Sequence, residues 1–472
     1  MGARGARRGA AGACAACAGV LGAAVLAAAG ALDAECPAGG LPGTFAAADR
    51  RPTARREANE LRVATFNAEW LFDGDAGDSK ISPWKGDPEG AVSHRGRVAD
   101  VVGALDADIV AVEEVEDCTN LRALAELLNS RAPAGSTPDE GLYAPFLVKG
   151  KDSYTGQDVG LLTRVDPEGP LERTEARAAQ PVAGSACYGS PVPEGDGTRS
   201  SGVSKHFRAR FDVGGVKLAV IGAHFISRPT DPARCEQREG QATVMRDYLL
   251  EAAVEGRHLV FLGDLNDYSD SVPDAHGNKP TSRVLSILRG DAGLGSGVAA
   301  EAPLHEVSCA LPPEERYTSW WDHAPKDGKD DGGAEHSAID HLLLSTYLFD
   351  RASNVSVGHF YDAADVSDHW PLSVTLALNA SEEEATGLGC PDSKLPDGPS
   401  GDERAAAAED ASSGAGWGGP TQLAVFFGIS VAFLGLGGGV GYVVGLRRGR
   451  LAHLGPGRYS RSLSMVNQDF AL

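Results

Sequence analysis

Between Leu61 and Leu378 short apolar runs alternate with longer segments in which apolar residues recur every three or four positions. The short runs predict strands at Leu61–Phe66, Asp108–Val112, Val159–Leu162, Lys205–Phe211, Lys217–Ile221, His258–Leu262, Ala338–Leu344 and Leu372–Leu378. The longer segments predict helices at Arg95–Leu105, Thr119–Ser130, Cys235–Glu251 and Ser282–Leu288. Interleaving of this kind predicts helices layered on sheets. Polar stretches bearing Gly or Pro, at 74–93, 166–203, 268–281 and 322–336, read as loops.

Several of the apolar runs end on, or enclose, polar chemistry. They are Phe66-Asn67, Val112-Glu113-Glu114, Ala223-His224, Phe261-Leu262-Gly263-Asp264-Leu265-Asn266 and Ala338-Ile339-Asp340-His341, with Ser367-Asp368-His369 near the end of the patterned region. A buried strand gains nothing from carboxylate, amide or imidazole groups at such places unless they are paired or bind something. The recurrence makes the chain readable as an enzyme.

Composition changes the picture mainly at the ends. Residues 1–34 open with Arg4, Arg7 and Arg8 and continue Ala-rich, as an export signal does; a disordered leader or a transit peptide is the rival reading. Residues 35–59 read as a flexible lead-in, and 379–420 as an acidic stalk poor in large apolar groups. Residues 421–446 read as one membrane-spanning helix, and 447–472, opening on Arg447, Arg448 and Arg450, as a cytoplasmic tail. That topology places the 60–378 domain outside the cell or in the lumen. Cys36, Cys118, Cys187, Cys235, Cys309 and Cys390 remain after the leader, an even set suited to three disulfides of open pairing. Asn354 and Asn379 head glycosylation acceptors. Removing leader and tail leaves 35 basic against 63 acidic residues, a balance of −28. This disfavours a non-specific nucleic-acid coat protein and requires any phosphate-ester enzyme to offset repulsion with metal or local cations.

Hydrolysis of a phosphoester needs a cation on the non-bridging oxygens, a carboxylate to activate water, and donors for the transition state. The strand-end residues supply that set. In the order Val63-Ala64-Thr65-Phe66-Asn67, Asp108 to Val115, Gly222-Ala223-His224-Phe225, Gly263-Asp264-Leu265-Asn266, and Ile339-Asp340-His341 with Ser367-Asp368-His369, the chain resembles the endonuclease/exonuclease/phosphatase superfamily, which includes DNase I and the sphingomyelinases. The resemblance covers roughly residues 60–378. It implies a four-layer α/β sandwich, two mixed sheets flanked by helices. It implies Glu114 as principal metal ligand with Asn67 beside it and Asp368 as a further metal-side carboxylate, for Mg²⁺ or else Mn²⁺ or Ca²⁺. Glu69 stands where some relatives carry another such carboxylate. It implies Asp264 as the group that activates water, Asn266 as a phosphate donor, His369 oriented by Asp340 for proton transfer, and His224 as the second histidine. Glu113, where the family often has Gln, reads as a solvated neighbour.

Candidate substrate contacts are Tyr154, Arg228 (with Arg234 and Arg238) and Trp320 in the aromatic run Tyr317 to Trp321. Each also has an ordinary structural reading, as core, rim or helix face. Lys205 is either a cation near the site or a solvated strand start. Glu116 stands near the place where DNase I has a phosphate-binding Arg. The sum is a membrane-anchored ectoenzyme that hydrolyses phosphodiesters, with extracellular nucleic acid as first substrate. Alternatives are a phosphomonoesterase, a sphingomyelinase-like phospholipid phosphodiesterase, or a catalytically inactive receptor or adhesion module.

Overall fold

The structure is a computed structural model that describes residues 60–132, 142–188, 193–291, 302–323, 326–381, 385 and 387–390. The expected leader, lead-in, membrane helix and tail lie outside the described residues, as does nearly all of the stalk. Among the described residues no helix is long and apolar enough to cross a membrane.

Two mixed sheets carry the fold. The first has the order β14 (Ala352–Val357), β15 (Leu372–Ala377), β1 (Glu60–Leu71), β2 (Ile109–Val115), β4 (Asp158–Thr163) and β3 (Ala144–Leu147). The second has the order β10 (Leu304–Glu306), β13 (Asp340–Ser345), β9 (His258–Asp264), β8 (Val216–His224) and β7 (Lys205–Val213). Each sheet has one parallel pair near its centre, β1 with β2 and β8 with β9. Parallel neighbours require a crossover, and α1 (Pro88–Leu105) and α3 (Pro232–Val254) supply it. The helices α2 (Cys118–Ser130) and α4 (Val284–Arg289) follow β2 and β9. Short pairs β5 (Ala178–Ala179) with β6 (Ser200–Ser201), and β11 (Ser319–Trp320) with β12 (His336–Ser337), stand apart from the two sheets. A single-turn helix, α5 (Thr346–Phe349), joins β13 to β14.

Side-chain alternation sorts the strands into layers. Leu61, Val63, Ile109, Ala111, Leu218, Val220, Val260 and Leu262 fill the core between the sheets. Their neighbours Ala64, Phe66, Val110 and Val112 pack under α1 and α2, while Ala219, Ile221, Leu259 and Phe261 pack under α3 and α4. Strands buried on both faces carry continuous apolar runs, which is why these segments were legible as strands. The four-layer α/β sandwich is thus present.

Boundaries differ from the expectation in ways with identifiable causes. β1 runs on to Leu71 rather than stopping at Phe66. α1 starts at Pro88, not Arg95, because Asp87 accepts from the Gly90 amide and Pro88 takes the first turn. α3 likewise starts at Pro232 under an Asp231 cap. The 166–203 segment is tied to α3 by Cys187–Cys235, and Cys309–Cys390 ties β10's downstream turn to the end of the domain. Cys118 is also disulfide-bonded.

Candidate active site

The two parallel pairs aim their carboxyl ends at one rim, and the antiparallel strands β13 and β15 begin at that same rim. In the register, Asp340 at the start of β13 stands opposite Asp264 at the end of β9. Thr65 in β1 stands opposite Leu372, just after His369. Both sheets therefore deliver polar groups to one cleft.

Asp264 is its centre. It accepts from Asn67 Nδ2 at 3.1 Å and from the Asn266 amide at 2.9 Å. His224 Nε2 lies 3.5 Å and His369 Nε2 3.9 Å from its Oδ2. Burial first, and then the Asp340 charge, push its carboxyl up to about 7. Gly263, at φ 139°, makes the approach possible: a Cβ there would stand 1.9 Å from the Ala223 carbonyl oxygen. The Phe225 amide in turn donates to the Asp264 carbonyl, which holds the end of β8 against β9.

His369 is locked from both sides. Its Nδ1 lies 2.8 Å from Asp340 Oδ2, and its amide donates to Ser367 Oγ, which donates to the Asn67 carbonyl. Burial alone would lower this imidazole. The Asp340 charge and hydrogen bond, helped by Asp368 and Asp264, outweigh it and raise the group well above its ordinary value. His224 goes the other way: burial, with the charges of Lys205 and His369, drives it well below its ordinary value. The cleft thus shifts its two imidazoles in opposite directions, each within 4 Å of the same carboxylate.

The metal-side acids stand next to these groups. Glu114 accepts from the Trp70 amide at 3.0 Å, and burial followed by Asp368 pushes it up to about 7. The Asp368 amide donates to Glu69 Oε2 at 3.2 Å, and the Glu69 amide donates to Asn67 Oδ1 at 3.0 Å. Carboxylate and amide oxygens of this kind are donor types suited to a hard divalent cation. Among the described residues the tightest acid and imidazole grouping in the cleft is a different one, Asp264, Asp340 and His369.

The tandem acids of β2 are separated by a bulge. Register shifts between Glu113 and Val115, and Glu114 sits at φ 62°. Glu113 is therefore not the solvated neighbour expected. It is fully buried, accepts from Thr65 Oγ1 at 2.8 Å, and is raised well above its ordinary value by burial and by Asp340. The β1 partner strand shifts register in the same place, with Glu69 at φ 48° and Trp70 at φ 60°. Asn266, at φ 49°, is the other left-handed residue of the cleft, and its Nδ2 donates to the Phe225 carbonyl at 3.3 Å.

Of the expected substrate contacts, Trp320 is corrected. Its indole is 7% exposed, packs with Ala363 and Trp370 and donates to Glu335. It braces the turn before His369, since its amide donates to the Asp368 carbonyl. The exposed ring of the pair is Trp321. Arg238 is corrected too: it is fully buried, pairs with Asp267 at 3.1 Å and serves the fold. Arg228 turns to Asp231 at 3.7 Å. Tyr154 is half exposed, on a loop whose amides are held by Asp152. Lys205 carries more than the sequence conveyed. It is 8% exposed, lies 3.7 Å from Asp152, donates to Gln157 and pairs across the ladder with His224. The sequence left it open between a cation near the site and a solvated strand start.

Comparison with solved structures finds many likenesses, the following three among them. Truncated TDP2 from Caenorhabditis elegans is 18% identical, with TM-score 0.39 over 67% of this chain and 97% of that chain. An endonuclease/exonuclease/phosphatase family protein from Leptotrichia buccalis is 12% identical, with TM-score 0.41 over 66% and 98%. TDP2 from D. rerio, complexed with single strand DNA product, is 17% identical, with TM-score 0.37 over 67% and 98%. No curated protein matches the chain. Residues 64–369, which span every cleft residue described above, match the profile of the Endonuclease/Exonuclease/phosphatase family. The chain belongs to that family, whose members hydrolyse phosphate ester bonds.

Proposed function

We propose that this domain is a divalent-metal-dependent phosphodiesterase that cuts nucleic acid outside the cell, by in-line attack of water on phosphorus. The observation that carries the reading is the convergence on Asp264 of Asn67, His224 and the His369–Asp340 pair. Asp264, fixed by two donors and raised toward neutrality, takes the proton of the attacking water. His369, kept protonated by Asp340, donates to the phosphate as charge moves toward the leaving oxygen. Neutral His224, the second Nδ2 hydrogen of Asn266 and the Lys205 ammonium supply donors to the remaining phosphoryl oxygens. Glu114, Asn67 and Asp368 would hold the cation, Mg²⁺ by preference, whose chemistry is to neutralise a non-bridging oxygen.

The disulfides Cys187–Cys235 and Cys309–Cys390 support an oxidising compartment. Asn354 and Asn379 are both exposed, as glycosylation there requires. The purified chain is expected to turn over plasmid or oligonucleotide, with activity abolished by a chelator and by Glu114→Ala. Full activity in that variant removes the proposal. Turnover of sphingomyelin or phosphorylated inositols, with nucleic acid left intact, moves the substrate to the lipid or phosphomonoester class.

A further inference from the structure

We propose that Asp73, Asp78 and Glu116 form a second cation site, for a hard divalent ion of the Ca²⁺ class, which fastens the loop after β1 to the end of β2. One carboxylate oxygen from each residue lies within 4.8 Å of those of the other two. Asp78 is only 7% exposed, and its Oδ2 is shut off from solvent without a hydrogen-bond partner. A buried carboxylate packed against two further acids needs a cation, or a proton shared among them, to offset the repulsion.

The protein's own cations do not provide that charge. Lys85 Nζ donates to the Asp78 carbonyl at 2.7 Å, and Lys149 Nζ to the Glu116 carbonyl at 2.8 Å and to Asp158 at 2.6 Å. Both ammonium groups thus meet the backbone of the cluster and not its carboxylates. Among the described residues no Lys, Arg or His forms an ion pair with Asp73, Asp78 or Glu116. The hydrogen bonds that do reach the acids come from neutral donors or, between Asp78 and Glu116, from within the cluster. Glu116 Oε2 accepts from the Asp73 amide and Asn120 Nδ2, and Asp73 Oδ1 from the Asp75 amide.

The donor set is all oxygen, with no thiolate or imidazole, which selects a hard ion. Asp73 is exposed and Glu116 half-buried, so water can complete a shell of six to eight oxygens. Ca²⁺ accepts such irregular shells, whereas Mg²⁺ demands a strict octahedron. The place is mechanically apt. The Glu116 amide donates to the Leu71 carbonyl at 3.2 Å, where β1 and β2 finish, and Glu116 follows Glu114 by two residues.

The test uses the full-length chain, stripped with chelator, in a Glu114→Gln background that silences the acid of the hydrolytic cleft. Ca²⁺ and Mg²⁺ are titrated calorimetrically, and thermal unfolding is followed with and without Ca²⁺. One equivalent of Ca²⁺ is expected to bind and to raise Tm by about 3 °C or more. Adding Asp78→Asn should weaken Ca²⁺ at least ~10-fold and remove the thermal shift. Asp73→Asn, at an exposed loop position, should weaken it in the same sense and covers the case in which Asp78→Asn does not fold. Absence of Ca²⁺ binding in the Glu114→Gln protein, or unchanged affinity in the asparagine variants, overturns the site. So does a metal-free Asp78→Asn protein that gains stability while its parent ignores Ca²⁺, since the acids would then share a proton.

Discussion

His369 and Asp264 face each other across the cleft with Asp340 beside both, so one substitution tests two ionisations. Asp340→Asn removes the anion that raises His369 and also raises Asp264. Both groups should then titrate lower. If Asp264 works deprotonated and His369 protonated, the acid and alkaline limbs of the kcat/KM profile should both move to lower pH, and the rate should fall by ~10²–10⁴-fold. An alkaline limb that stays in place would remove His369 as the titrating acid. Glu113 gives a contrasting expectation. Because its folded-state value is raised, the native protein holds that proton more tightly than the unfolded chain, and stability declines as pH climbs past the ordinary 4.5. Glu113→Gln keeps the neutral shape, so Tm should vary less with pH between about 5 and 8 in the variant than in its parent. Residue pattern alone could place two acids at the end of a strand, while the choice of Glu114 over Glu113 came from the family resemblance. A bulge breaks the period of two on which such assignments rest. Trp320 and Trp321 pose the same problem, since β11 ends at Trp320 and nothing in the pair marks the buried one.

At the scale of elements, α3 is held to the loop beyond β9 by a buried ion pair rather than by apolar contact alone. Arg238 NεH meets Asp267, and its Nη groups reach the Arg228 and Pro229 carbonyls and Thr281. Arg238→Ala would leave Asp267 charged and enclosed, at a cost of about 3–5 kcal/mol. Urea unfolding should show the loss as a lower midpoint at unchanged slope. The strands that flank the cleft were readable because burial on both faces leaves long apolar runs. The edge strands β3, β10 and β14 were missed: β3 and β10 span only four and three residues, and β14 exposes Ser353 and Asn354. The start of α1 was in fact written in the chain, as Asp87-Pro88, but few apolar residues follow to mark its first two turns.

For the whole molecule, acid tolerance depends on groups remote from the cleft. Glu306 accepts from Arg289, Ser269 and Ser271 and lies 3.7 Å from His341. Burial alone would raise it, but the His341 contact and the Arg289 charge lower it to about 2. A depressed carboxylate stabilises the fold above its ordinary 4.5 and loses that contribution as pH falls toward its folded value. Glu306→Gln should therefore be less stable than its parent at neutral pH, with the gap closing between about pH 4.5 and 2 in denaturant titrations.

The chain order of the first sheet has one further consequence. β1, which brings Asn67, is paired over Glu60–Thr65 with β15, which follows His369 and enters the sheet after every other strand of the two sheets has been made. A polypeptide still growing on the ribosome lacks both the imidazole and the strand that seats it. The cleft of this phosphate-ester hydrolase is accordingly completed only near the end of synthesis of the domain.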